Sequence, residues 1–378
     1  MRILLVGEYS RLHNSLKEGL EMLSHEVTII GTGDSFKQFP VDYSIFPQYF
    51  LNNRVLVLLN KVLFRIFKLD LQLAEKGIRF WFFLPKLKNY DVVQLINSNA
   101  IETYPFFSKY LLKKLFRQNK KSFLFVCGED TPIINFMLKD ALDYSILTPL
   151  LQNKNLKKDF HFSLKYIQKN YKSLYHFVQE NASETIVSDL DYKIPLPEKT
   201  LIPNPVNTDK ITFEPFSTPE KVILFLGKNK SSAIKKGTQY FEEALEIIQK
   251  KYGNKIRIIR TENAPYDVYI TLFRNAHIVL DQIYSYDQGY NALEAMAKGK
   301  VVFTGAETEF MDYYNLKERV CVNAIPNVDY LVKELSYLIE NPEEITAISK
   351  RARAFIEKEH HYIKIAEKYL EVWNSNLE

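Results

Sequence analysis

Clustered lysines that follow a strand-ending glycine are suited to bind an anion, and one such cluster opens the C-terminal half of this chain. The apolar run Val222–Leu226 leads into Gly227-Lys228-Asn-Lys-Ser-Ser-Ala-Ile-Lys-Lys236-Gly237-Thr238. On a loop at the carboxyl end of a strand, Lys228 and Lys236 could meet the negative charge that builds on a departing diphosphate, a charge otherwise met by a metal ion. The same residues fit equally well as a solvated charge run. A second cluster follows the apolar run Ile278–Leu280: Asp281-Gln-Ile-Tyr-Ser-Tyr-Asp287-Gln-Gly289-Tyr290-Asn291-Ala292-Leu-Glu294. Gly289 lets backbone approach a ligand at the start of a helix, where the amides of Tyr290, Asn291 and Ala292 and the helix dipole favour phosphate oxygens. Glu294, one turn further in, could accept from ribose hydroxyls. Small Ala292, Ala295 and Ala297 would let that helix pack closely on a sheet. Taken singly, this is also what a routine strand–turn–helix unit looks like.

The elements that must position these residues are legible as an alternation. Short β-branched runs at Ile3–Val6, Glu26–Ile30, Val92–Leu95, Phe123–Val126 and Thr185–Val187 predict strands in the first half. Val222–Leu226, Ile256–Ile259, Ile278–Leu280, Val301–Phe303 and Val320–Val322 predict them in the second. Amphipathic helical patterns lie between them, one with Leu16, Leu20 and Leu23 on a face. Such alternation predicts parallel sheets covered on both faces. It lapses around Pro215 and Pro219, which is linker chemistry. The division is therefore residues 1–207, a linker over 208–220, and residues 221–362. A last helical stretch within 363–378 could pack back on the first domain. Two doubly wound α/β domains would face each other across a cleft, where such sheets bind ligands.

With these motifs placed, a resemblance becomes specific. Gly289-Tyr-Asn-Ala-Leu-Glu294-Ala-Met-Ala-Lys-Gly299-Lys-Val-Val resembles the donor-binding signature of retaining family-4 glycosyltransferases, G-x-x-x-x-E-A-M-A-x-G-x-P-V-V. Gly227-Lys228 and Lys236-Gly237 look like that family's G-R and K-G pairs. Leu201-Ile-Pro-Asn-Pro-Val-Asn207 resembles its I-P-N-G-V-D turn. The resemblance implies a GT-B fold of two Rossmann-like domains and a hexose-type sugar moved from a nucleotide-sugar to a glycan or lipid-linked acceptor. It implies retention of configuration, no metal and no cofactor beyond the co-substrate, and a place in bacterial cell-surface polysaccharide synthesis. The family's E-x7-E pair has Tyr286 at its first position here, with Asp287 beside it to take the role. Lys228 stands for Arg, and a bidentate fork becomes a point charge.

The first domain supplies the acceptor side in such proteins. Gly7-Glu8-Tyr9-Ser10-Arg11-Leu12-His13 follows the first strand, so Glu8 or His13 could contact acceptor hydroxyls; the plain alternative for His13 is a surface residue at a helix start. Where the family places a His, Cys127-Gly128-Glu129-Asp130 offers Glu129 or Asp130, and Asp130 would equally cap the next helix. Other GT-B chemistry, such as inversion or donor hydrolysis, and an inactive GT-B scaffold remain open. A rival pattern, Asp189-Leu190-Asp191, matches the D-x-D by which another glycosyltransferase class holds a divalent metal.

Between about Pro47 and Lys121 the composition changes. Residues 54–68 hold four basic side chains and no acidic one, and Lys61, Arg65 and Lys68 share a helix face. A second basic stretch is Tyr110-Leu-Leu-Lys-Lys-Leu-Phe-Arg117. Either the apolar faces pack on the sheet, or they dock on an anionic membrane where a lipid-linked acceptor lies. The net charge of +5 carries no nucleic-acid argument, and two lone cysteines form neither a disulfide framework nor a metal set. With no signal-like or bilayer-length apolar run, the expectation is a cytoplasmic protein, either free or at the inner face of the cytoplasmic membrane.

Overall fold

The structure, a computed structural model, describes residues 1–34, 37–264 and 266–377. The first sheet comprises β1 (Arg2–Val6), β2 (Glu26–Gly31), β3 (Tyr43–Ser44), β4 (Val92–Leu95), β5 (Lys121–Val126), β6 (Glu184–Val187) and β7 (Thr200–Leu201). All pair in parallel in the order β3-β2-β1-β4-β5-β6-β7. Their near-continuous apolar composition follows from burial on both faces: Ile3–Val6 and Phe123–Val126 are completely shielded. The second sheet comprises β8 (Val222–Lys228), β9 (Ile256–Glu262), β10 (Ile278–Leu280), β11 (Val301–Thr304) and β12 (Val322–Asn323), again parallel, in the order β12-β11-β10-β8-β9.

Two edge strands, β3 and β7, are absent from the sequence reading, because two residues carry no periodicity. The run expected at Val320–Val322 pairs only at its end, as Phe303↔Val322 and Thr304↔Asn323. In each sheet the connections reverse direction beside one strand, after β1 in the first and after β8 in the second. A crevice opens outside the carboxyl ends at such a switch point. Gly7–Arg11 follows β1, and the lysine loop follows β8.

Five helices of the first domain matter below: α1 (Leu12–Met22), α2 (Tyr49–Asn52), α3 (Arg54–Phe67), α4 (Leu71–Phe83) and α5 (Pro105–Arg117). The stretch 207–220 contains no helix or strand, yet it is tied to the second domain: Arg353 donates to the carbonyls of Ile211 and Thr208, and the Glu214 amide to Lys298 O. The final helix, Tyr362–Leu377, crosses back to the first domain, where Ile365, Ala366, Tyr369 and Trp373 enter the first core.

That return depends on a missing side chain. On α1, a Cβ at Gly19 would lie 2.4 Å from Tyr362 O and 3.0 Å from Ala366 Cβ, so only glycine admits this crossing. Interiors packed at crystal density do not absorb such a collision cheaply. Gly19→Val should lower the unfolding free energy by about 1–3 kcal/mol, read by chemical denaturation. An unchanged midpoint would show that the crossing is set elsewhere.

Candidate functional site

The lysine loop sits at the carboxyl edge of the second sheet, and Lys228, Lys235 and Lys236 each donate to a different carboxylate. Lys228 Nζ donates to Glu242 Oε1 at 2.9 Å and lies 4.0 Å from Glu262, partners that hold its pKa above the ordinary lysine value. Lys236 Nζ donates to Asp281 Oδ1 at 2.7 Å, while the Ile283 amide donates to Lys236 O at 2.9 Å. Lys236 is thus fastened twice to the loop that leads from β10 into the Tyr290–Ala297 helix. Lys235, not singled out by the sequence, crosses the cleft and donates to Glu129 Oε1 at 2.5 Å, both side chains largely enclosed.

Gly289 precedes the helix with extended backbone, φ −71°, so no left-handed conformation requires it. A Cβ there would meet only the Gln282 amide at 3.9 Å, which leaves the helix tip open to a ligand. The Ala292 amide, read as free, donates to Gly289 O at 2.9 Å. That narrows the unengaged donors of the tip to Tyr290 and Asn291. Tyr290 itself is buried and its hydroxyl pairs with Ser15 Oγ of α1 at 2.6 Å, an interdomain contact; Asn291 is exposed. Glu294 lines a cavity of about 300 Å³ with Arg11, Asn207, Phe273, Arg274 and Lys298. Burial raises its pKa, and Lys298, Arg11 and Lys37 draw it back. Lys228 and Lys236 are not among the residues of that cavity. The structure therefore brings Lys236, Gly227 and Gly289 to one sheet edge and seats Glu294 in a neighbouring recess.

Asp287 has a different position from the one its sequence suggests. It is 3% exposed; its Oδ2 accepts from the Leu190 amide at 3.1 Å across the domain boundary and its Oδ1 from the Gln288 amide at 2.7 Å. Burial pushes its carboxyl up to about 7. Opposite it, Asp191 accepts from Ser285 Oγ at 2.6 Å and from the amides of Tyr286 and Asp287 at 3.0 and 3.3 Å. Asp189-x-Asp191 is thus drawn into a domain-to-domain clamp, and among the described residues no cluster of His, Cys, Asp or Glu has the arrangement of a metal site. Tyr286 is also interdomain, its hydroxyl accepting from the Asp143 amide.

On the first-domain wall, Gly7 has φ +89° and no room for a Cβ, which would lie 2.3 Å from Ile96 Cγ2. His13, read as a surface residue at a helix start, is instead fully buried: Nδ1 donates to Gly7 O at 2.7 Å, and Nε2 faces the Gln94 amide at 3.3 Å. Burial pushes its pKa down to about 4, so it is neutral and acts as a brace for the β1 loop. Glu8 is also fully buried; Oε2 accepts from the Asn14 amide and side chain, and Oε1 has no partner. Asp130 caps the Thr131–Met137 helix and accepts from Ser98, the capping role that the sequence left open.

Beside Glu129 lies a lysine that no spacing announced. Lys165 Nζ sits over the rings of Phe162 and Tyr166, at 3.6 and 4.8 Å from their centroids. Burial lowers its pKa to about 8, opposed by Glu102 and Glu129. Hydrogen-bonding groups of both signs thus line this wall, a chemistry suited to a hydroxyl-rich ligand.

Residues 232–371 match the family model described as glycosyl transferase-like. Across the whole chain, the fold is that of sucrose-phosphate synthase from Thermosynechococcus elongatus (TM-score 0.58, 14% identity, 99% of this chain and 98% of that one). It is equally that of HepE from Anabaena in complex with UDP and glucose (0.59, 13%, 99% and 100%). A Listeria monocytogenes protein assigned as a UDP-N-acetylglucosamine 2-epimerase also shares it (0.53, 14%, 100% and 96%). These likenesses establish the GT-B arrangement of two Rossmann-like domains. No curated protein matches the chain by sequence.

The buried acids make stability depend on pH with a definite sign. Burial raises the Glu8 carboxyl from 4.5 to about 8. The folded state therefore holds its proton more tightly than the unfolded chain does. Its contribution is fully present below the unfolded value and is lost as pH rises through about 8. Asp287, raised to about 7, acts in the same direction. Melting temperature should fall as pH rises from about 6.5, above which the buried His13 and His360 are neutral folded or unfolded, to about 8, the upper part of the interval over which these acids lose their contribution. Glu8→Gln, which mimics the protonated acid, should flatten that slope; an equally steep slope in the variant would remove Glu8 from the account.

Proposed function

We propose that this chain, a GT-B protein with a glycosyl transferase-like second domain, transfers a hexose-type sugar from a nucleoside diphosphate sugar to a hydroxyl acceptor with retention of configuration and no metal. The carrying observation is Lys236, bonded to Asp281 at 2.7 Å on the loop that ends at the open Gly289 helix tip. A diphosphate bridging the two would receive one full charge and the partial charge of a helix N-terminus. Lys228 adds a second cation at the end of β8, where the lysine loop begins. Glu294, held in its recess near Arg11, takes the ribose hydroxyls. UDP accompanies the HepE neighbour and favours a uridine donor.

In this scheme the acceptor hydroxyl enters between the Glu129–Lys165 wall and the sugar. Its oxygen bonds to the anomeric carbon as the bond to the diphosphate breaks, on the same face of the ring. The proton passes to the leaving phosphate, so no protein nucleophile is needed. Resemblance to family 4 and the hydroxyl-binding wall support a glycan or lipid-linked acceptor, as in cell-surface polysaccharide synthesis. Epimerisation shares the fold, but the glycosyl transferase-like match over 232–371 favours transfer.

Lys236→Ala should cut turnover by on the order of a hundredfold, ~3 kcal/mol of transition-state charge, and leave the melting curve intact. Donor consumption followed by mass spectrometry reads this, and a variant as active as the parent overturns the scheme. Excess EDTA should leave the parent's rate unchanged; sensitivity to it would return a metal to the donor diphosphate. A scaffold without activity would show neither turnover nor a thermal shift with UDP.

A further inference from the structure

Helix α3 has no buried residue. Val55, Leu59, Val62 and Ile66 follow the i, i+4, i+7, i+11 spacing of one face and are 74, 44, 44 and 63% exposed, with Leu58 beside them at 63%. The helix is anchored along another face, where Asn60 bonds Asp70 and the Leu71 amide. Alongside the uncovered apolar stripe run Arg54, Lys61 and Arg65, with Lys68 at the C-cap, and no acidic residue lies within 54–68. The surface continues. α3 packs on α2, α2 on α4, and α4 on α5. α4 leaves Ile78, Trp81 and Phe82 exposed, and α5 leaves Phe106 and Tyr110 exposed among four basic residues and no acid. A packed, covered apolar face, one of the two readings of the sequence, is not what the fold provides.

We propose that this corner docks on a bilayer containing anionic lipids, with α3 lying in the plane of the interface. An uncovered apolar stripe flanked by cations is the form of an interfacial helix: the aliphatic side chains enter the headgroup boundary while lysine and arginine stay at its charged surface. No helix among the described residues is long and apolar enough to cross a membrane, so the contact is with one leaflet. A second copy of the chain is a poor occupant, because a two-fold interface would set these unneutralised cations against themselves. Leu51 and Asn52, the last residues of α2, also line a cavity of about 430 Å³ with Thr32, Ser44 and Gln48. Docking through α3 places that polar recess next to the lipid surface. The docking does not rest on the transfer reading, since it is measured without any nucleotide.

The chain supplies its own probe. Of its two tryptophans, Trp373 is fully buried and Trp81 is 47% exposed. Adding phosphatidylcholine–phosphatidylglycerol vesicles to the full chain should shift the emission to the blue and sediment the protein. Pure phosphatidylcholine should do neither, and raised salt should weaken the binding. The paired changes Val62→Asp with Ile66→Asp, and Lys61→Glu with Arg65→Glu, should each weaken binding by more than about tenfold. Their melting curves should match the parent's, because none of these four residues is buried. Failure of the parent to bind the anionic vesicles overturns the proposal, as does undiminished binding by both variants. A concentration-dependent dimer in vesicle-free solution that either variant abolishes would assign the face to a second copy instead.

Discussion

Two aspartates, each capping the backbone of the other domain, hold the cleft of this protein together. Asp191 receives the amides of residues 286 and 287, and Asp287 receives the amide of Leu190. Carboxylates this deeply enclosed are costly as ions, and burial raises the pKa of Asp189, Asp191 and Asp287 alike. Asp191 and Asp287 are tolerable because donors converge on the pair from both domains: a buried carboxylate without such partners would either remain protonated or force the interface open. The turn that Asp191 caps lies between β10 and the Tyr290–Ala297 helix. The same contact that closes the domains therefore fixes the loop that ends at the Gly289 tip.

The lysine loop faces the converse problem. Positive charge gathered on one loop repels itself. Here the four cations are separated, Lys228 to Glu242, Lys230 to Glu262, Lys235 to Glu129 and Lys236 to Asp281. The Lys228 and Lys236 pairs are partly exposed, so each contributes little to stability, whereas the Lys235–Glu129 pair is largely enclosed. Their value is geometric, since each fixes where an ammonium group waits. Lys235 differs from its neighbour by one position, and that position aims it at the first domain. Adjacent residues of a loop thus divide two partners, Lys235 taking Glu129 of the first domain and Lys236 taking Asp281 of the second.

How much of this could be read beforehand depends on the range over which the cause acts. The long strands were visible because their burial on both faces is written locally as apolar runs. β3 and β7 were not, since a two-residue edge pairing leaves no period. Asp189-x-Asp191 was visible as a pattern, but its role depends on backbone some 95 residues away. His13 stands two residues after Arg11 in an ordinary helix start; only the fold of Gly7–Glu8 over it makes it internal. Lys165 needed rings at 162 and 166 to wrap around it, an arrangement that a helical turn permits but does not announce. For α3 charge and apolarity are legible together, and only tertiary structure decides whether the apolar face is covered.

The chain crosses between the domains twice, and the crossings touch. The Val206 amide donates to His360 O at 2.7 Å, and the Tyr362 amide donates back to Val206 O at 3.2 Å. His360, buried and held neutral with its pKa pushed down to about 4, donates from Nδ1 to Asn204 O and locks the outgoing segment to the returning one. A single tether would let the domains slide or twist, whereas two bonded tethers leave bending about their common line as the soft motion. Any opening of the cleft pivots there, away from the clamp at Asp191 and Asp287, and so must break the clamp. Water then reaches the carboxylates. Closing expels it, and the low dielectric that results is what raises the acids' pKa. The tethers and the buried acids in this sense set one hinge and one latch.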